Sequence, residues 1–118
     1  MTYLQSKIQK YINMGLEPDF AEYFASGPRI LVSVQANRDF TLLLEYDDGA
    51  RRSFDAVPLI RPGTVFEPLA DWDFFKRVYV DETNNIAWDI DPDADSRKVW
   101  SNRIDISADT CYVRGQVL

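Results

Sequence analysis

The chain contains no histidine and one cysteine, Cys111. Without imidazole there is no Ser-His-Asp triad, no general base titrating near neutrality and no histidine metal ligand. A lone cysteine forms neither an internal disulfide nor a thiolate zinc site. Long apolar runs are missing too. The longest are of the kind Leu42-Leu43-Leu44, far short of the roughly 20 residues of a membrane-spanning helix. Met1 to Lys7 lack the basic-then-apolar order of a signal peptide, so the expectation is a cytoplasmic protein with no membrane partner. Positive charge is in deficit, 13 Lys and Arg against 19 Asp and Glu, which argues against direct nucleic-acid binding. Glycine-rich phosphate-binding loops are absent.

What is present is ordinary globular material. The 118 residues fit one domain, and a chain of this size buries about two-thirds of its unfolded surface. Hydrophobic residues make up 46% and charged ones 27%, which excludes disorder of the whole chain, and 14% aromatics supply large core side chains. Leu4, Ile8, Tyr11 and Ile12 recur at helical spacing, with Gly15 placed to end the helix. Pro18 opens a second helix, Asp19 and Glu22 suit its positive end, and Phe20, Tyr23 and Phe24 form its apolar stripe up to Gly27-Pro28. Residues 1–27 therefore read as a helical extension packed on a core domain of residues 28–118.

After Pro28 the period changes from helical to alternating. Ile30, Val32 and Val34 fall on one face, with Ser33 and Gln35 on the other. Asn37-Arg38-Asp39 is a turn, Phe40 to Tyr46 a second strand, and Asp47-Asp48-Gly49 a hairpin signal leading into Arg51 to Ala56. A two-residue turn register pairs Glu45 with Arg52. Leu42, Leu43 and Leu44 are apolar on both faces. Either the N-terminal helices cover the second face, or that face is a subunit interface. The need of those helices to bury their stripes favours the first, and a homodimer stays open. Val65 to Leu69 reads as extended, Asp71 caps a short helix carrying Trp72, Phe75 and Val78, and Thr83-Asn84-Asn85 separates two more strands. Arg97 to Trp100 reads as a short strand, and Ser107 caps a last helix. The fold class is α+β: antiparallel hairpins packed with short helices, two helices preceding the sheet.

The candidates for chemistry are few. Asp89-Ile-Asp91-Pro-Asp93-Ala-Asp95 opens like a calcium loop, but the glycine and glutamate such a loop requires are Ala94 and Trp100 in one frame and Ser96 and Asn102 in the next. No metal or cofactor is expected. Asp47 and Asp48 fit turn chemistry better than acid–base catalysis. Cys111 has Asp109 nearby rather than a cation and reads as buried and inert. Trp72 and Trp88 read as core, whereas Trp100 stands in a mostly polar stretch as a candidate contact residue. Residues 81–95 hold six carboxylates and no cation, equal to the net charge of −6. Such a concentration steers a basic partner, and with no imidazole the charge is nearly constant between about pH 6 and 8.

Taken in order, Ile30 to Val34, Leu42 to Gly49, Phe54-Asp55, Pro58-Leu59, Val65 to Leu69, the helix around Phe75, Val80-Asp81, Ile86-Ala87-Trp88 and Ile104 to Tyr112 resemble a bacterial family called domain of unknown function 2442. The resemblance implies a small α+β domain from Pro28 to Tyr112. The N-terminal helices and a longer segment between Trp88 and Asp105 depart from the family pattern, and Cys111 stands where leucine is common. The family brings no catalytic residues. Some members are joined to a helix-turn-helix domain and others resemble one half of toxin–antitoxin-like gene pairs. The few residues after Tyr112 leave no room for a DNA-binding module, so a regulatory role works through a partner. The expectation is a non-enzymatic interaction or regulatory, antitoxin-like module that meets a basic protein surface through Asp89, Asp91, Asp93, Asp95 and Trp100. The alternatives are a small carboxylate enzyme or ligand-binding protein, and an acidic nucleic-acid mimic that inhibits a DNA- or RNA-binding protein.

Overall fold

The computed structural model describes residues 2–118. Helix α1 spans Tyr3–Asn13 and α2 Pro18–Ala25. At the start of α1 the Thr2 hydroxyl accepts from the Gln5 amide while the Gln5 side chain accepts from the Thr2 amide, a reciprocal cap. At its end Gly15 takes a φ of 100°, and the amides of Gly15 and Leu16 donate back to Ile12 and Tyr11. Strands β1 (Leu31–Ala36), β2 (Thr41–Tyr46) and β3 (Arg51–Asp55) follow. Next come the one-turn helix α3 (Trp72–Phe75), β4 (Tyr79–Val80), β5 (Ile86–Asp89), β6 (Arg103–Ile106), α4 (Ala108–Arg114) and β7 (Gln116–Val117). The strands form two antiparallel sheets, ordered β1-β2-β3-β7 and β4-β5-β6, so the α+β architecture is as expected.

Three hairpins use one loop design. In each, the residue before a three-residue loop donates to the residue after it and accepts from the last loop residue. Asn37 does so around Phe40, Tyr46 around Gly49 and Asp81 around Asn84. That last residue is left-handed in all three, with φ of 64° at Phe40, 81° at Gly49 and 63° at Asn84. The Asp-Gly pair therefore does not make the expected two-residue turn. The extra residue shifts the register so that Glu45 faces Arg51, 3.6 Å away, and Leu44 faces Arg52. Arg52 thus points inward, where its Nε donates to the Tyr112 carbonyl near the end of α4.

A second register effect corrects the reading of β1. The β1–β2 ladder slips between Leu31 and Ser33, a bulge that resets the alternation. Leu31 goes inward, while Ile30 and Val32 are 58% and 62% exposed. On β2, Leu42, Leu44 and Tyr46 are buried against Phe75, Ile86, Trp88, Ile104 and Cys111. Trp88 stacks on Phe75 with ring centres 5.7 Å apart and donates to its carbonyl. On the outer face, half-buried Leu43 sits between Gln35 and Ser53. The N-terminal helices do not cover this face. Helix α2 packs on α4, with buried Tyr23 against Tyr112 and donating to Asp109, and α1 packs on α2. A polar outer face needs no cover, so Leu43 is the one apolar residue of its cross-strand row. Elsewhere, Glu67–Ala70 is a short 3-10 helix where extended chain was expected, and Arg97 to Trp100, expected as a strand, is a turn running into the 3-10 helix Trp100–Asn102.

The two sheets meet at the β4–β5 turn. The Asn84 side chain accepts from the Leu31 amide and donates to the Leu31 carbonyl, both at 2.8 Å. The next side chain, Asn85, accepts from the Ala108 amide in the first turn of α4. Asn84→Ala is expected to destabilise the protein by about 2 kcal/mol, through two lost hydrogen bonds and a left-handed alanine. Asn84→Gly, which tolerates the backbone angle, loses less. Urea denaturation of the pair checks the order.

Candidate functional site

The expected contact residues lie on the segment between β5 and β6 and on the β4–β5 turn. The segment is built around Asn102, which is 8% exposed. Its side chain accepts from the Asp91 amide and donates to the Asp91 carbonyl and the Ser96 hydroxyl, and its backbone carbonyl accepts from Ile90. One buried amide thereby closes the loop without any metal ligand set. Among the described residues no cluster of three or more acidic or thiol side chains is placed to hold an ion.

The carboxylates expected to act together are sorted by these bonds. Asp89 turns inward and accepts from the Tyr79 hydroxyl at 2.7 Å and the Ser96 hydroxyl at 2.5 Å. Burial and that bond to Asp89 push the Tyr79 phenol up to about 12. Asp95 accepts from the Arg97 amide and pairs with its guanidinium, which hold its carboxyl below the usual range. Asp91 accepts from the Asp93 amide, and both residues are exposed. Of the expected set, only Asp91, Asp93 and Trp100 face solvent freely.

Arg103 at the start of β6 answers the other two carboxylates of the acidic stretch. Its Nη1 lies 3.3 Å from Asp81 and 2.8 Å from Glu82. The Asp81 side chain is fully buried and also accepts from the Thr83 and Asn85 amides and the Thr83 hydroxyl. The bond from Arg103 holds Glu82 below the usual glutamate range, and Glu82 in turn pushes Arg103 further up. The Nε of Arg103 is buried without a hydrogen-bond partner among the described residues. Arg97, Lys98 and Arg103 bring residues 81–103 to −3, half the charge of residues 81–95. The sequence reading did not single out Arg103, because its place directly opposite Asp89 depends on the β5–β6 register.

A groove of about 550 Å³ is lined by the apolar Val65, Pro68, Ile90, Trp100 and Ile104, with Glu67 and Arg103 as its charged residues. Trp100 is 86% exposed, Val65 72% and Ile90 49%. These side chains stand exposed next to charged ones. Trp72 and Trp88 are core residues as expected. So is Cys111, fully buried with its thiol pushed up to about 12 by desolvation, which makes it a poor nucleophile.

Arg103→Met strands the buried Asp81 carboxylate and is expected to cost about 3 kcal/mol at neutral pH, read from urea denaturation. Because the folded pKa of Glu82 is depressed, its contribution is full above the ordinary value of 4.5 and is lost as pH falls below it. Removing Arg103 flattens that acid limb of the stability curve.

A family model described as protein of unknown function (DUF2442) matches residues 31–115. No curated protein and no solved structure gives a significant match. The matched span runs from β1 to the end of α4 and takes in both sheets except β7, the Asn84 clamp, Arg103 and Trp100, while α1 and α2 precede it. With 85 of its 118 residues inside the match, the chain belongs to the DUF2442 family.

Proposed function

We propose that the protein is a non-enzymatic interaction module of a regulatory kind. It grips a partner protein through the groove at Trp100, with exposed Asp91 and Asp93 of the same β5–β6 segment as the acidic part of the contact. The observation that carries this reading is the 86% exposure of Trp100 beside Ile90 and Val65. An indole is a costly group to leave in water, and exposed tryptophan in an apolar hollow is the usual anchor of a protein contact. These two carboxylates favour a partner that carries lysine or arginine as well as an apolar anchor, and they speed its approach. The inward carboxylates support the same reading. Asp81 and Asp89 are held by the turn, by Arg103, by Tyr79 and by Ser96, so their role is to shape the platform.

The test is affinity capture followed by calorimetry with the captured protein purified. Trp100→Ala is expected to weaken binding at least about 30-fold, the loss typical of a central aromatic anchor. Asp91→Asn with Asp93→Asn weakens it less and reduces its salt dependence. Partner binding unchanged in both variants overturns the assignment.

A further inference from the structure

Strand β6 is an open end of the sheets. The second sheet runs β4-β5-β6, and among the described residues no strand pairs with β6 on its far side. The Ile90 amide donates to the Asn102 carbonyl. Counted on from that bond, the hydrogen-bonded pairs with β5 are Trp88 with Ile104 and Ile86 with Ile106. Arg103 and Asp105 therefore turn their backbone N–H and C=O groups outward, and among the described residues nothing donates to or accepts from those groups. This side is in solvent, for Ser101, Asp105 and Ser107 are all exposed. The other end of the strand order, β7, has only two residues, and β1 is clamped to the β4–β5 turn by Asn84. Proline, lysine or a bulge commonly protects such an edge. β6 has none of them, and its ladder with β5 runs without a shift. Its guard is a pair of opposite charges on one face, Arg103 and Asp105, of which Asp105 is in no ion pair among the described residues.

We propose that β6 of one copy pairs with β6 of a second copy, antiparallel and across a two-fold axis centred on Ile104, so that their two small sheets join into one. The pairing goes beyond the Trp100 contact and needs nothing from it. Backbone geometry and charge together fix the register. The new ladder bonds residues that face outward, which are Arg103 and Asp105. Centred on either of them, it sets that residue against its own copy, and like charges directly opposite are destabilising. Centred on Ile104, it sets Arg103 against Asp105 of the second copy, and does so twice. In that register each outward amide of Arg103 and Asp105 meets an outward carbonyl of the other copy, and the open edge is satisfied. Arg103 keeps its bonds to Asp81 and Glu82, which hold the guanidinium on this face. The charges that repel a strand in the wrong register thus select the right one. Arg103-Ile104-Asp105 is its own complement when read antiparallel, so the segment that fits this edge is a second β6. Two-fold symmetry closes the contact and leaves no second β6 edge on which a fibre could grow.

Analytical ultracentrifugation of the full chain over a concentration series is expected to show a reversible monomer–dimer equilibrium, a weak one because the shared edge is small. Amide hydrogen exchange followed by NMR locates it. The Arg103 and Asp105 amides slow as protein concentration rises, whereas those of Ile104 and Ile106, bonded to β5, are protected throughout. Asp105→Lys sets a lysine against Arg103 and is expected to weaken dimerisation about tenfold or more. Asp105→Asn keeps the backbone groups and weakens it less. Asp105→Pro removes the outward N–H without touching the β5 ladder and abolishes dimerisation. Circular dichroism checks that each variant folds, and if the proline variant does not, Asp105→Lys and exchange in the unmodified chain decide. A chain that stays monomeric at sub-millimolar concentration, a dimer unmoved by Asp105→Lys, or exchange at Arg103 and Asp105 that is independent of concentration overturns the proposal. A chain that stays monomeric while Trp100→Ala abolishes capture of a partner protein sinks the edge pairing alone and leaves the groove reading standing.

Discussion

The β4–β5 turn is the junction on which the rest of the structure depends. Two neighbouring asparagines point in different directions from it, Asn84 to the backbone of β1 and Asn85 to the first turn of α4. Asp81 underneath gathers the turn's own amides and hands its remaining oxygen to Arg103. Neither small sheet closes a core alone. Joined here, they enclose Trp88, Phe75 and the inner side chains of β2. Antiparallel sheets of three or four short strands are marginal by themselves, so a directional polar clamp that fixes their relative placement governs how well the apolar contacts are realised.

The same junction decides what the acidic stretch can do. A run of six carboxylates without a cation suggests one strong field, but charge is a property of space rather than of sequence. Once β6 pairs with β5, Arg103 reaches Asp81 and Glu82, and Asn102 folds the insertion so that Asp89 faces Tyr79 and Ser96. What survives at the surface is the exposed pair Asp91 and Asp93 on the segment that also carries Trp100.

Local signals were legible where a residue's effect is confined to its own turn. Gly15 and Pro18 bound the helices as expected, Asp71 and Ser107 cap theirs through side-chain oxygens, and Trp88 is core while Trp100 is exposed. Register was not legible. One extra residue in the Asp47-Asp48-Gly49 loop moves Arg52 from the outer face to the inner, and the slip after Leu31 exposes Val32 although its alternation with Val34 looks regular. In sheets a shift of one residue reverses every side chain beyond it, so a small local ambiguity becomes a complete exchange of faces.

The sequence by itself determined the α+β class, the order of the helices and of the first six strands, the lack of imidazole and disulfide chemistry, and the family. These follow from periodicity, composition and ordered short motifs, all of which are additive along the chain. Only the tertiary structure decided that Arg103 reaches Asp81 and Glu82, that Asp89 turns inward to Tyr79 and Ser96, and that α2 packs on α4 rather than on the outer face of the first sheet. Each of these depends on which distant groups come within bonding distance. That outcome is set by loop length and strand register, whose effects propagate through the whole sheet.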